Sequence, residues 1–204
     1  MKYQDLSITG RQAGSDKGCL LIACSECSSG LDLTGSHHVR LEHRNLANIV
    51  SLTDINCLTA LEWAIEVVRV NKIVIQGHYD CKVVEAAMDR RASGISGNWV
   101  NPITRIVTKY SHILAEYADA NERIRRLCEL NVLEQAANVC LTGPVRKAWE
   151  QGSSLVVQAR IYDAASGLTS DLDLASQSRY DNGAGSPPVS ETAWFRPGEA
   201  GLTV

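Results

Sequence analysis

Aromatic residues are scarce in this chain of 204 residues: they make up 5% of it, and Phe195 is its one phenylalanine. The core must therefore be assembled from aliphatic side chains, with little help from large rings. Charge of one sign is also missing, because 20 Lys and Arg stand against 23 Asp and Glu for a net charge of -3. That balance creates no field to draw in nucleic acid or an anionic membrane surface, so neither is expected as a partner. No apolar run approaches the roughly 20 residues that a membrane-crossing helix needs. Residues 1–17 are polar and hold no apolar signal core, which points to a cytoplasmic protein. Gly and Pro occur at ordinary levels, there is no internal repeat, and a hydrophobic content of 45% suits one soluble globular core.

Cysteine, by contrast, is plentiful: seven in all, an odd number in a chain without a secretory signal. In a reducing compartment thiols serve metal binding, catalysis or packing more often than disulfides.

The order of apolar segments predicts an α/β fold. Cys19 to Cys24 is a short apolar run between two turn-rich stretches and reads as a buried strand. Lys72 to Gln76, rich in β-branched residues and followed by Gly77, reads as a second. Between them Leu58, Leu61, Ile65 and Val68 share one helical face, with Asp54 or Asn56 as the cap and Glu62, Glu66 and Arg69 turned outward. Strand, helix, strand favours a parallel-sheet core flanked by helices. Further helices are expected over 81–91, over 98–118 with an early interruption at Pro102, and over 121–149 with a break at Gly143-Pro144. Ser154 to Tyr162 alternates as a strand, and 163–167 turns the chain back into a short partner. From Gln177 onward the chain is Ser-, Gly- and Pro-rich, with Trp194-Phe195 as its only apolar anchor. The expected organisation is a short N-terminal segment (1–18), one domain (19–174) and a tail or arm (175–204).

Soft metal ligands stand at the ends of the two clearest strands, in Cys24-Ser25-Glu26-Cys27 and His78-Tyr79-Asp80-Cys81. Neighbouring parallel strands bring their C-terminal ends side by side, where open α/β folds place ligand sites. Cys24, His78 and Cys81 can thus converge, and two thiolates with one imidazole are a set that favours tetrahedral zinc with a fourth position to fill. Taken singly, each would be read as a packed cysteine or a satisfied loop histidine; two paired motifs on two strand ends favour the metal. Cys19, Cys57, Cys128 and Cys140 read as core, His37 and His38 as an exposed pair at a strand start, and His112 as a helix residue remote from the site.

Over residues 19–174 the chain resembles the β-class carbonic anhydrases. The resemblance rests on Cys24 at its strand end, on the run from His43-Arg44-Asn45 to Asn48-Ile49-Val50, and on Asp54 to Thr59. It continues through Gly77-His78-Tyr79-Asp80-Cys81, Cys128 to Gln135, and Tyr162 to Gly167 before Asp171-Leu172-Asp173. It implies a β-carbonic-anhydrase-like parallel sheet, homodimers that pair into homotetramers, and one Zn2+ held by Cys24, His78 and Cys81. It further implies a zinc lyase, hydratase or hydrolase whose zinc-bound water attacks a small electrophilic carbon such as that of carbon dioxide, while the departures described next give a related carbonyl, thiocarbonyl or heterocumulene equal standing as substrate. Arg44 and Tyr162 fall on family positions near the dimer interface and an anion contact.

Around the expected metal the chain departs from the family pattern. Where the family has Cys-x-Asp-x-Arg, this chain has Glu26 and Ser28, so the carboxylate gains a methylene and loses its Arg partner. Lys82 and Val83 replace the two glycines that usually follow the second cysteine. Both add bulk beside the pocket; Lys82 is a candidate contact for an anionic substrate, although a solvated helix residue describes it better. The expectation is weak plain hydration of carbon dioxide, with Glu26 orienting water, carrying its proton or capping the zinc. The alternative is a repurposed or inactive homologue, with a closed zinc site of Cys24, Cys27, His78 and Cys81 that serves assembly or binding.

Overall fold

In the computed structural model residues 18–27 and 39–173 are described; Ser28, His37, His38, Trp194 and Phe195, and with them the N-terminal segment and tail, lie outside these. The elements in chain order are β1 (Cys19–Cys24), β2 (Val39–Asn45), α1 (Ile55–Trp63), β3 (Lys72–His78), α2 (Lys82–Met88) and α3 (Gly94–Lys109). They are followed by α4 (Ser111–Leu114), α5 (Ala120–Leu141), α6 (Gly143–Glu150), β4 (Val156–Asp163) and β5 (Leu168–Leu172). The strands form one sheet in the order β2-β1-β3-β4-β5. The first four are mutually parallel, and β5 returns antiparallel to β4 through the turn expected at 163–167.

β1 is buried along its whole length because it lies between two neighbours with both faces covered, which is why it reads as an unbroken apolar run. Leu20, Ile22 and Cys24 point into the main core with Ile73 and Ile75, while Cys19, Leu21, Ala23 and Val74 form a smaller cluster. The main core is closed by Leu61, Ile103, Ile106, Leu127 and Leu130, aliphatic as the shortage of aromatics requires. Cys57, Cys128 and Cys140 are packed within it.

The helix after β1 and β2 begins where Asp54 accepts from the Asn56 N–H at 3.0 Å, and passes into a π-helical turn, Ala64–Val68, that ends at the left-handed Arg69. Pro144 stands in the first turn of α6, where its missing N–H costs nothing, so the expected break separates α5 from α6. The expected interruption at Pro102 is corrected. α3 runs unbroken from Gly94 to Lys109 with Pro102 inside it, because burial of Val100, Ile103 and Ile106 on one face outweighs one lost backbone bond.

The sheet register sets up the site. Cys24 at the end of β1 lies opposite Asn45, His78 at the end of β3 lies opposite Tyr162, and Ala23 pairs with Gln76. Just before His78, Gly77 lets α5 approach the sheet: a methyl group there would collide with Val132 Cγ2 and stand 3.3 Å from Ile161 Cδ1. Among the described residues no helix is long and apolar enough to cross a membrane.

Candidate metal centre

β1 and β3 deliver their last residues to one point. Cys24, Glu26, His78 and Cys81 each bring one ligand atom into a cluster whose atoms all lie within 4.8 Å of one another. Cys24 and Cys81 are 0% and 2% exposed, and their sulfurs are 3.9 Å apart. Two sulfurs each about 2.3 Å from a tetrahedral zinc would be ~3.8 Å apart, so the pair already has the spacing of two zinc ligands.

His78 Nδ1 bonds the Tyr79 carbonyl at 2.9 Å, which places the proton on Nδ1 and leaves the Nε2 lone pair free. Nε2 is buried and makes no hydrogen bond. A buried, unbonded imidazole nitrogen beside two sulfurs is the arrangement a metal-binding histidine presents. The donor set therefore fits zinc.

Charge in the cluster is unevenly shared. The hydrogen bond with Cys81 brings the Cys24 thiol down to about 4 against the opposing effect of burial, with help from His78 and the Glu26 and Ala47 amides. The same bond, with burial, drives Cys81 upward, so Cys81 keeps its one proton, which points either at the Cys24 sulfur at 3.9 Å or at Glu26 Oε2 at 3.3 Å. Burial opposes a charge on His78, but the Cys24 sulfur overrides it and raises the imidazole. Two close sulfurs share one negative charge readily, and a second would need a cation beside them.

Of the two candidates for the fourth ligand, Glu26 lies in the cluster and Cys27 lies outside it. Glu26 is exposed, yet its Oε2 also accepts the Lys82 N–H at 3.0 Å. Lys82 itself turns outward, with 74% of its side chain exposed and Nζ 2.8 Å from Glu85 Oε2, so its backbone and not its charge faces the site. Val83 is half-buried against the core. Arg44 donates through Nη1 to the carbonyls of Cys24 at 3.0 Å and Cys27 at 2.8 Å, and through Nε to Glu42 at 3.0 Å. It clamps the turn after β1. Tyr162 is 9% exposed, and its carbonyl accepts the Tyr79 N–H at 2.9 Å. His112 is exposed on α4 and plays no part.

Two supports of the site escaped the sequence reading. Ala47 is left-handed, with φ 62 and ψ 27, and its N–H donates to Cys24 Sγ at 3.1 Å. Asn48 follows with φ 48, and such conformations cost about 1–3 kcal/mol each unless their surroundings enforce them. The enforcing residues are Asn131, Gln135 and Asn138 of α5, and their signal was available: amides at i, i+4 and i+7 on the face of a helix that otherwise buries Leu127, Leu130 and Val139.

Comparison with known proteins agrees with this geometry. The family model for carbonic anhydrase matches residues 33–169. A carbonic anhydrase of Emericella nidulans is 32% identical over 168 residues, covering 79% of this chain and 72% of its own. One of Candida albicans is 30% identical over 79% of this chain, which spans 58% of that relative's length. Among solved structures, a tetrameric β-carbonic anhydrase of Sordaria macrospora superposes with a TM-score of 0.67 at 30% identity, covering 77% of this chain and 81% of the other. A β-carbonic anhydrase of Aspergillus fumigatus gives 0.69 at 29%, covering 82% and 83%. Sequence, fold and the cysteine–histidine cluster at the ends of β1 and β3 thus agree, and the chain belongs to the β-carbonic anhydrase family.

Proposed function

We propose that this chain is a zinc-dependent lyase of the β-carbonic anhydrase type, acting on carbon dioxide or a related small carbonyl, thiocarbonyl or heterocumulene. One observation carries the reading: the buried, unbonded Nε2 of His78 beside the sulfurs of Cys24 and Cys81. These three residues would hold the zinc. When bound, zinc supplies Lewis acidity and lowers the pKa of water from about 15.7 toward about 7.

The chain's own residues then set what the site does. Glu26 is the one carboxylate in the cluster, and its exposed position lets it exchange a proton with solvent after accepting it from water in the site. Held by the Lys82 N–H, it also stands where it can cap the metal and must swing away to admit substrate. This supports a slow or gated hydratase. A reducing, cytoplasmic setting is part of this reading, and the tetrameric Sordaria macrospora relative supports self-association.

Metal analysis is the first test: about one zinc per chain is expected, and less than about half an equivalent rejects the reading. Stopped-flow hydration of carbon dioxide comes next, with a slow rate expected. Glu26→Asp with Ser28→Arg restores the family pattern and should raise that rate. A fast wild-type rate that the double variant leaves unchanged would show that Glu26 needs no Arg partner.

A further inference from the structure

A chain of amide side chains surrounds the turn at Ala47. Asn131 Nδ2 donates to the Ala47 carbonyl at 3.0 Å, Gln135 Nε2 donates to Asn131 Oδ1 at 3.0 Å, and the Val50 N–H donates to Gln135 Oε1 at 2.8 Å. Asn138 Nδ2 donates to the Val50 carbonyl at 3.0 Å, and Asn45 brackets Ile49 with bonds of 2.8 Å to its N–H and its carbonyl. Asn131 and Gln135 are each 1% exposed, so water cannot replace a bond that either one loses. What the amides hold is a left-handed alanine whose N–H lies 3.1 Å from Cys24 Sγ. Relaxed to an ordinary conformation, the same N–H would turn off the sulfur.

We propose that Asn131 and Gln135 are positioning residues of the metal centre, acting through the left-handed turn at Ala47 to keep its N–H on the Cys24 sulfur. A donor on a ligating thiolate fixes the ligand's direction and draws charge from the sulfur, which tunes both affinity and spectrum. The competing role is plain core support, and Ala47 separates the two. Glycine adopts the left-handed conformation without steric cost, so Ala47→Gly keeps the N–H while easing the demand on the amides. Core support alone gives it nothing to repair.

The inference rests on the metal reading, and cobalt distinguishes their failures. Wild-type protein loaded with Co2+ should show thiolate-to-cobalt charge-transfer bands; their absence overturns the metal reading and this one together. Asn131→Asp keeps the acceptor for Gln135 and removes the donor to Ala47. Gln135→Glu keeps the acceptor for Val50 and removes the donor to Asn131, and serves if the first variant does not fold. Each should weaken Co2+ binding about 10-fold or more in chelator competition and shift the charge-transfer band. Ala47→Gly added to either should recover most of both changes. The proposal is overturned if wild type shows the bands while both variants bind within about twofold of it with unmoved bands. It is equally overturned if the loss follows melting temperature and Ala47→Gly restores nothing.

Discussion

The two loops that meet at the cysteine–histidine cluster are built to different standards. At the end of β3, Tyr79 is fixed from four directions. Its N–H bonds the Tyr162 carbonyl at 2.9 Å, its carbonyl takes His78 Nδ1, its hydroxyl donates to Glu129 at 2.6 Å, and Arg125 lies 3.6 Å over its ring while pairing with Asp163. His78 thus leans on a residue that cannot move alone. At the end of β1, only Cys24 is buried; Ser25 and Glu26 are exposed, and the turn is held by the Ser25 N–H on the Asn45 carbonyl at 2.8 Å, the Cys27 N–H on the Cys24 carbonyl at 3.3 Å, Arg44 and the Ala47 N–H. Glu26 reaches its bonds in the other loop. The difference teaches a division of labour: under the proposed zinc reading the β3 loop would hold the metal rigidly, and the β1 loop would bring an adjustable carboxylate to it.

The comparison predicts unequal losses. His78→Ala removes a ligand from the rigid half and should lower zinc affinity on the order of 100-fold, about a quarter of the free energy of a four-ligand site. Binding must also displace the proton that Cys81 holds, so affinity should rise with pH by about tenfold per unit for that one proton. Gly77→Ala strikes the same half through packing. A methyl against Val132 should destabilise the fold by about 1–3 kcal/mol in urea titration and weaken zinc through the adjacent His78. Glu26→Gln keeps an oxygen for the Lys82 N–H and discards the charge, so it should change zinc affinity by about tenfold or less while lowering hydration. If Glu26→Gln costs as much zinc as His78→Ala, the two loops are not different in kind.

How far the site could be read in advance depended on what kind of atom does the work. The convergence of Cys24, His78 and Cys81 was legible because side chains at the ends of neighbouring parallel strands meet by topology alone. The bond that holds Glu26 was not, since the Lys82 donor is a backbone N–H that every non-proline residue carries. Lys82 was therefore weighed for its charge, which the fold sends to Glu85. Ala47 was invisible for a related reason: alanine gives no sign of a left-handed conformation, and the amides of α5 that surround the turn come eighty and more residues later. Pro102 misled in the opposite direction, because a local rule about helix breaking yielded to burial along α3.

The smallest expected effect probes the looser half directly. Arg44 reaches the carbonyls of Cys24 and Cys27 with one nitrogen and Glu42 with another, a fork that lysine cannot reproduce. Arg44→Lys should cost about 1 kcal/mol or less of stability, because its side chain is partly exposed and water can take over the carbonyls. Its clearer trace should be chemical. Burial pushes Cys57 up to about 11 and Cys128 and Cys140 up to about 12, so at pH 8 these thiols stay protonated and inert to iodoacetamide. Zinc would shield Cys24 and Cys81, and Cys19 is 0% exposed, which leaves half-buried Cys27 as the first thiol to react. Loosening the clamp should speed that reaction several-fold in the zinc-loaded protein without changing zinc content. An unchanged labelling rate would mean that the β1 turn is held as firmly as the β3 loop, and that the contrast between them lies in the exposure of Glu26 alone.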